Sequence, residues 1–282
     1  MTTKQRRVVH KIEEGMDRQD VLCTTYQMRN FYRQLRDGFF SALDVMNYIQ
    51  HHQIALWCKS GSNVLDVCCG RGLLLPLLRY HRKEIASYTG VDIAPNNAKW
   101  IKQRVTDGKP VDVDEYYPFP TQFVESNVAE MSRHLLPRKF DVIVYTSSIE
   151  HMHPETGQQS LYECRKVSKP GTVLILTCPN TPETQDGYNT QYRAHVYEWK
   201  RSELIEGLDL AGFEIVTEYG IMISRKELKK AATRLGLLSL VERLEKFIPG
   251  EWLLPVLAPM FPKQSKEIAF VAKAKEETPC LQ

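Results

Sequence analysis

Across residues 26–49 the apolar positions Phe31, Leu35, Phe39, Leu43, Met46 and Ile49 recur at intervals of three and four, which predicts one or two amphipathic helices. The pattern changes after the turn Lys59-Ser60-Gly61. Residues 63–68 form a short apolar run, as expected of a strand buried on both faces of a parallel sheet. Helical spacing returns over 73–80, and 87–92 reads as a second strand. Pro95 fits the first position of a helix running to about Val105. The acidic stretch within 107–120 reads as a loop. Residues 121–125 and 140–146 are further strands with a short helix between them. Pro154 opens a helix to about Val167, and Lys169-Pro170-Gly171 leads into a strand over 172–178. A helix over 198–211 stops at Gly212, a good place for positive φ. Residues 213–219 and 267–274 close the series as strands.

Strands that alternate with helices predict an α/β fold, a doubly wound, seven-stranded, mostly parallel sheet. The last two strands are separated by residues 225–266, far too many for a hairpin. That insertion carries Leu228, Ala231, Ala232, Leu235, Leu238, Val241, Leu244 and Ile248 on one helical face, then a proline-rich apolar stretch over 252–262. The expected organisation is an N-terminal helical extension (1–58), a core (59–224), a helical insertion or lid (225–266), and a last core strand with its tail (267–282).

Composition narrows the class. Hydrophobic residues at 43% and charged residues at 25% describe an ordinary globular chain of 282 residues. The net charge of +3 neither requires nor excludes a nucleic-acid partner. The polar start is not a signal peptide, no apolar run is long enough to span a bilayer, and the prolines of 252–262 argue against stable membrane association. Seven cysteines, none spaced as Cys-x-x-Cys, suggest neither a disulfide framework nor a zinc site. A cytoplasmic location is expected.

In an open α/β sheet, ligands bind beyond the carboxyl ends of the strands. The first strand ends in Asp66-Val67-Cys68-Cys69-Gly70-Arg71-Gly72, where glycines let a backbone approach a ligand closely. The second ends in Asp92, whose carboxylate can accept from both hydroxyls of a ribose. That pair alone also suits a nicotinamide enzyme. The whole series narrows the choice. Residues 63–72 resemble the first motif of class I S-adenosylmethionine (SAM) dependent methyltransferases, LDxGCGxG, with Cys68 in place of the first glycine. Gly90-Val91-Asp92 resembles the second motif, and residues 123–127 the third, with Asn127 where the family has Asp. Residues 140–151 resemble the fourth, and Lys169-Pro170-Gly171 the turn before the fifth strand.

The resemblance, over roughly 55–220, implies a Rossmann-like fold and SAM as cofactor. It places Asp66, Cys68, Gly70, Gly72, Asp92, Ile93, Asn127, Val128 and Ser147 at the cofactor. A separate resemblance, of residues 26–31 to the helix before the core in mRNA cap guanine-N7 methyltransferases, adds Arg36, at the place where that family has a basic residue for the SAM carboxylate. His151, after the fourth strand, is the candidate base for an acceptor hydroxyl; the competing role is a structural histidine that orients Glu150 or a loop carbonyl. His195, after the fifth strand, is a candidate acceptor contact. Some relatives carry an acid three residues before the Glu-His pair and bind magnesium through these groups. Ser147 holds that position here, so no metal is expected.

Two acceptor classes stay open. The first is a small molecule methylated on oxygen or nitrogen, with the insertion and the N-terminal helices forming its pocket. The second is RNA, because residues 26–31 resemble the helix before the core in mRNA cap guanine-N7 methyltransferases. In either case Tyr26 and Arg29 are candidate acceptor contacts. A catalytically inactive partner subunit on the same fold is a third reading. Oligomeric state is not legible.

Overall fold

The computed structural model describes residues 42–81, 84–94, 103–106, 109–112, 117–190, 192–248 and 250–276. Tyr26, Arg29 and Arg36 lie outside the described residues, as does the start of the helix expected from Pro95. Helix α1 (Ala42–Trp57) leads into β1 (Asn63–Val67), α2 (Leu75–His81) and β2 (Ser87–Asp92). A hairpin follows, β3 (Gln103–Thr106) with β4 (Lys109–Asp112), and then β5 (Thr121–Glu125), α3 (Ser132–Leu135) and β6 (Phe140–Thr146). Next come α4 (Pro154–Lys166), β7 (Ser168–Pro179), α5 (Arg201–Leu210) and β8 (Phe213–Ile223). The insertion forms α6 (Arg225–Arg234), α7 (Leu238–Leu244) and α8 (Gly250–Leu257), and β9 (Ser265–Ala274) closes the sheet.

The large sheet has the order β5-β2-β1-β6-β7-β9-β8. All its pairings are parallel except those of β9, which runs antiparallel to both β7 and β8. Period-two alternation divides the core between the two faces. Leu65, Ile143, Tyr145, Leu174 and Leu176 pack on one side with Leu161 and Cys164 of α4 and Leu204 and Leu208 of α5. Val64, Val142, Val144 and Ile175 pack on the other with Ile54 and Ala55 of α1 and Leu75 and Leu78 of α2. Each fully buried leucine among these contributes on the order of 2–5 kcal/mol by the cost of truncation to alanine. The sheet is therefore doubly wound, as the alternation of elements predicts.

Several boundaries differ from the sequence reading. Residues 103–106 pair antiparallel with 109–112, so the helix expected to reach Val105 and the loop expected from 107 give way to a hairpin. Helix α1 continues past Ile49 to Trp57, because Ile54 and Ala55 gain a buried face against β1 and β2. Strand β7 starts at Ser168, opposite Phe140, and Gly171 (φ 79°) takes up the irregularity in that pairing. The insertion is three helices, broken where Gly236 adopts φ 70°. Its proline-rich stretch is nevertheless helical at α8, with Pro255 inside the helix. Ile223, Leu228, Ala232, Val241, Ala258 and Phe261 give the insertion a small core of its own. Helix α8 rests on α1 and on β8. Gly220 permits the close approach, since a Cβ there would run into the Ala258 carbonyl oxygen and Ser265 Oγ. No helix of the described residues is long and apolar enough to cross a membrane.

Candidate active site

The chain turns sharply where β1 ends. Cys68, Gly70 and Gly72 adopt φ of 54°, 51° and 70°. At Cys68 a side chain stands where the left-handed region favours glycine, a strain on the order of 1–2 kcal/mol. The turn is anchored: Cys69 N–H donates to the Val91 carbonyl at 3.0 Å, and Gly72 N–H to the Cys69 carbonyl at 2.9 Å. Gly90 makes room for it, because a Cβ there would lie 2.7 Å from Cys69 Sγ.

Asp92 is fixed from both sides. Gly70 N–H donates to its Oδ2 and Ala94 N–H to its Oδ1, each at 2.9 Å. One lone pair on each oxygen remains for a ligand. Beside it Ile93 is 67% exposed, a large apolar side chain left uncovered at a strand end. Asn127 is exposed and its Oδ1 accepts from Ala129 N–H at 3.0 Å, capping the short 3-10 turn that starts with buried Val128. Asp66 is buried, and burial pushes its carboxyl up to about 7.

A crevice of about 260 Å³ opens where β1 and β6 end. Of the residues expected at the cofactor, Asp66, Cys68, Gly70 and Ser147 line it, whereas Gly72, Asp92, Ile93, Asn127 and Val128 do not. Asn47, Gln50 and His51 of α1 form its other wall and were not foreseen. Gln50 Nε2 donates to Thr177 Oγ1 at 2.8 Å, tying α1 to the end of β7. Ser147 N–H donates to the Thr177 carbonyl at 2.9 Å, holding Ser147 at φ 45°. His51 Nδ1 donates to the Asn47 carbonyl at 2.7 Å, and burial lowers this imidazole to about 4, so it is neutral. A signal for this wall exists in the sequence. Asn47, Gln50 and His51 fall at i, i+3 and i+4 and so share one side of α1 as a polar stripe. None of the described residues of 225–266 lines the crevice, and α8 packs on α1, which forms one of its walls.

The loops after β6 and β7 bring the two candidate histidines together. The rings of His151 and His195 meet edge to face at 5.0 Å. His151 Nδ1 donates to the Ala194 carbonyl at 2.9 Å, and His195 Nδ1 to Glu198 Oε1 at 2.7 Å. Each ring therefore keeps Nε2 as its unprotonated nitrogen while neutral. The Glu150 carbonyl accepts from Val196 N–H at 2.8 Å and Tyr197 N–H at 3.1 Å, and Trp199 Nε1 donates to the Ile149 carbonyl. Glu150 is 2% exposed, and burial pushes its carboxyl up to about 8, with Glu267 and Glu198 adding to the rise. The thiols of Cys68 and Cys164 are likewise raised by burial, so they behave as packed apolar groups and not as nucleophiles.

The sequence profile of a methyltransferase domain matches residues 47–218. A probable S-adenosylmethionine-dependent methyltransferase of Mycolicibacterium smegmatis is 26% identical over 176 residues, 61% of this chain and 60% of that protein. The mRNA cap guanine-N(7) methyltransferase 1 of Oryza sativa subsp. japonica is 25% identical over 139 residues, 48% of this chain and 37% of that protein. The chain thus spans less than two thirds of the length of either curated relative. The crystal structure of a SAM dependent methyltransferase from Archaeoglobus fulgidus shares the fold, with a TM-score of 0.52, 21% identity, and coverage of 86% of this chain and 99% of that one. With well over half its length inside the domain match, the chain belongs to the methyltransferase-domain family of the class I SAM-dependent methyltransferase superfamily.

Proposed function

We propose that this chain transfers the methyl group of SAM to an oxygen or nitrogen of a small-molecule acceptor. The observation that carries the reading is the fixed Asp92. Two backbone N–H groups hold its carboxylate beside the Gly70–Gly72 turn, where it can accept from the two hydroxyls of a ribose. The residues fit the cofactor in other respects too. Ile93 offers an exposed apolar edge for the adenine face, and the Asn127 side chain and the N–H of Val128 stand at the end of β5. Asp66, Cys68, Gly70 and Ser147 line the crevice in which the amino-acid end of the cofactor would lie.

SAM supplies an activated methyl on a sulfonium sulfur. The protein's task is to align the acceptor in line with it, to exclude water and to accept a proton. His151 follows β6 with Nδ1 tied to the Ala194 carbonyl, which leaves Nε2 as the nitrogen able to take a proton from an acceptor hydroxyl. His195, braced by Glu198, faces it and is assigned to acceptor contact. The groups at 1–58 and 225–266 are assigned to acceptor recognition around the core, and the cytoplasm to its location.

One observation favours a second reading: the match to the rice mRNA cap enzyme, joined to the resemblance at 26–31, fits an RNA acceptor. Calorimetry with S-adenosylhomocysteine (SAH) and NAD tests the core of the proposal. SAH binding with no NAD binding supports it; the reverse ends it. Acceptor binding that weakens steeply with salt would move the acceptor from a small molecule to RNA. SAH binding without methyl transfer to any acceptor would favour an inactive partner subunit.

A further inference from the structure

We propose that Glu150, His151 and His195 form a binding site for one first-row transition-metal ion. The ligand atoms of these three side chains all lie within 4.8 Å of one another. A tetrahedral ion with bonds of about 2.1 Å needs ligand atoms about 3.4 Å apart, a contraction that side-chain rotation supplies.

Each donor is prepared for coordination. His151 gives its Nδ1 proton to the Ala194 carbonyl and His195 gives its own to Glu198, so both present an Nε2 lone pair. The His195–Glu198 contact is the carboxylate–histidine pairing that orients metal-bound imidazoles. Glu150 supplies the independent observation. It is 2% exposed, yet its Oε2 has no hydrogen-bond partner among the described residues. A buried carboxylate oxygen without a donor is costly, and a cation removes that cost. Two further acids, Glu198 and Glu267, lie close enough to Glu150 to act on it by charge. His151 is exposed, which gives the ion a way in.

The donor set decides the class of ion. Two imidazoles and one carboxylate suit zinc, cobalt, iron or nickel, whereas magnesium prefers an all-oxygen shell. The acid that would make the set oxygen-rich is absent, because Ser147 stands in its place. The expectation that this chain holds no metal followed from that serine. It left out His195, which only the tertiary structure brings to the pair. Three protein donors leave at least one position open, on the side where an acceptor would sit. With an ion bound, His151 Nε2 is a ligand; without one, the same nitrogen is free to take a proton.

The test uses the full chain, free of affinity tags and stripped with a chelator. Titration with Zn²⁺ by calorimetry should show one site per chain, and Co²⁺ should give visible absorption bands of a low-coordinate nitrogen and oxygen environment. Glu150→Gln and His195→Ala should each weaken Zn²⁺ by more than about 100-fold, and Glu198→Gln by about 10–100-fold. His153→Ala, an exposed neighbour outside the set, should bind as the parent does. SAH affinity, measured on every variant, reports folding and the cofactor site separately from the metal. Absence of Zn²⁺ and Co²⁺ binding in a parent protein that binds SAH would overturn the proposal. So would a site whose affinity is unchanged in Glu150→Gln and His195→Ala.

Discussion

Tyr88 Oη donates to Asp66 Oδ2 at 2.7 Å, and both side chains are buried. The bond links the second strand to the crevice-lining acid of the first. It favours the carboxylate, but burial wins and holds the Asp66 carboxyl at about 7. A carboxyl raised in the folded state stays protonated where the unfolded chain has lost its proton. The stability it contributes is present at low pH and is lost as pH rises from 3.8 through about 7. His51 acts oppositely. Its folded value of about 4 lies below its ordinary 6.5, so stability is lost as pH falls through that interval. Asp66→Asn keeps an acceptor for Tyr88 and cannot ionise. Relative to the parent it should gain about 2–3 kcal/mol of stability between about pH 5 and pH 8, measured without ligand by chemical denaturation. A difference that does not change with pH would show that Asp66 titrates normally.

Asp92→Ala should weaken SAH by about 1.5–3 kcal/mol, roughly 10–100-fold, through loss of charge-assisted hydrogen bonds to the ribose. The substitution also frees the N–H groups of Gly70 and Ala94, so Asp92→Asn, which keeps one acceptor oxygen, should lose less. Calorimetric affinities for the two variants check the order. Equal, parent-like affinities would remove Asp92 from the cofactor site.

His151→Ala should lower turnover by about 10²–10⁴-fold with SAH affinity nearly unchanged. The companion His153→Ala, exposed two residues on, should leave turnover intact. Steady-state rates with a responsive acceptor decide this. Normal turnover in His151→Ala would mean that alignment alone drives the reaction, and lost SAH affinity would point to a structural role through the Ala194 carbonyl.

Gly90→Ala should destabilise the protein by about 1–3 kcal/mol, because its methyl would meet Cys69 Sγ at 2.7 Å in a well-packed interior. Cys69→Ala removes that sulfur, and the nearest remaining atoms lie at 3.3 Å. The double variant should therefore recover much of the loss. Thermal melts of the four proteins make a complete cycle, and strict additivity would show that the two positions do not meet.

The parts of the fold set by short-range pattern were the legible ones. The apolar run over 63–68 implied a strand buried on both faces, where Val64 and Leu65 now lie in different core clusters, and the order of strands and helices implied a doubly wound sheet. Glycine positions and a strand-end acid marked the turn at Gly70 and Asp92. What periodicity missed has a tertiary cause. Helix α1 runs past its expected end because a buried face awaits it, and 103–106 pair antiparallel with 109–112 although Pro95 suggests a helix. His151 and His195 are 44 residues apart, and tertiary hydrogen bonds, to the Glu150 and Ile149 carbonyls and from His151 to the Ala194 carbonyl, hold their loops together. The polar stripe at Asn47, Gln50 and His51 was present in the sequence, but an amphipathic pattern read for its apolar side passes over it.

The segment between β7 and α5 is pinned at its base. Thr181 pairs with Lys200 in an isolated parallel bridge, and Val196 and Tyr197 are fastened to Glu150. The described residues between these anchors, 182–190 and 192–195, thus hang from a fixed frame. The tip residues Tyr188, Tyr192 and Arg193 are exposed, and Asp92 lies on other elements of the sheet. Such a loop behaves as an exchangeable cassette: its tip can be recoded, lengthened or grafted from a relative while the frame keeps its shape. Laboratory diversification aimed at a new acceptor has its natural starting point there.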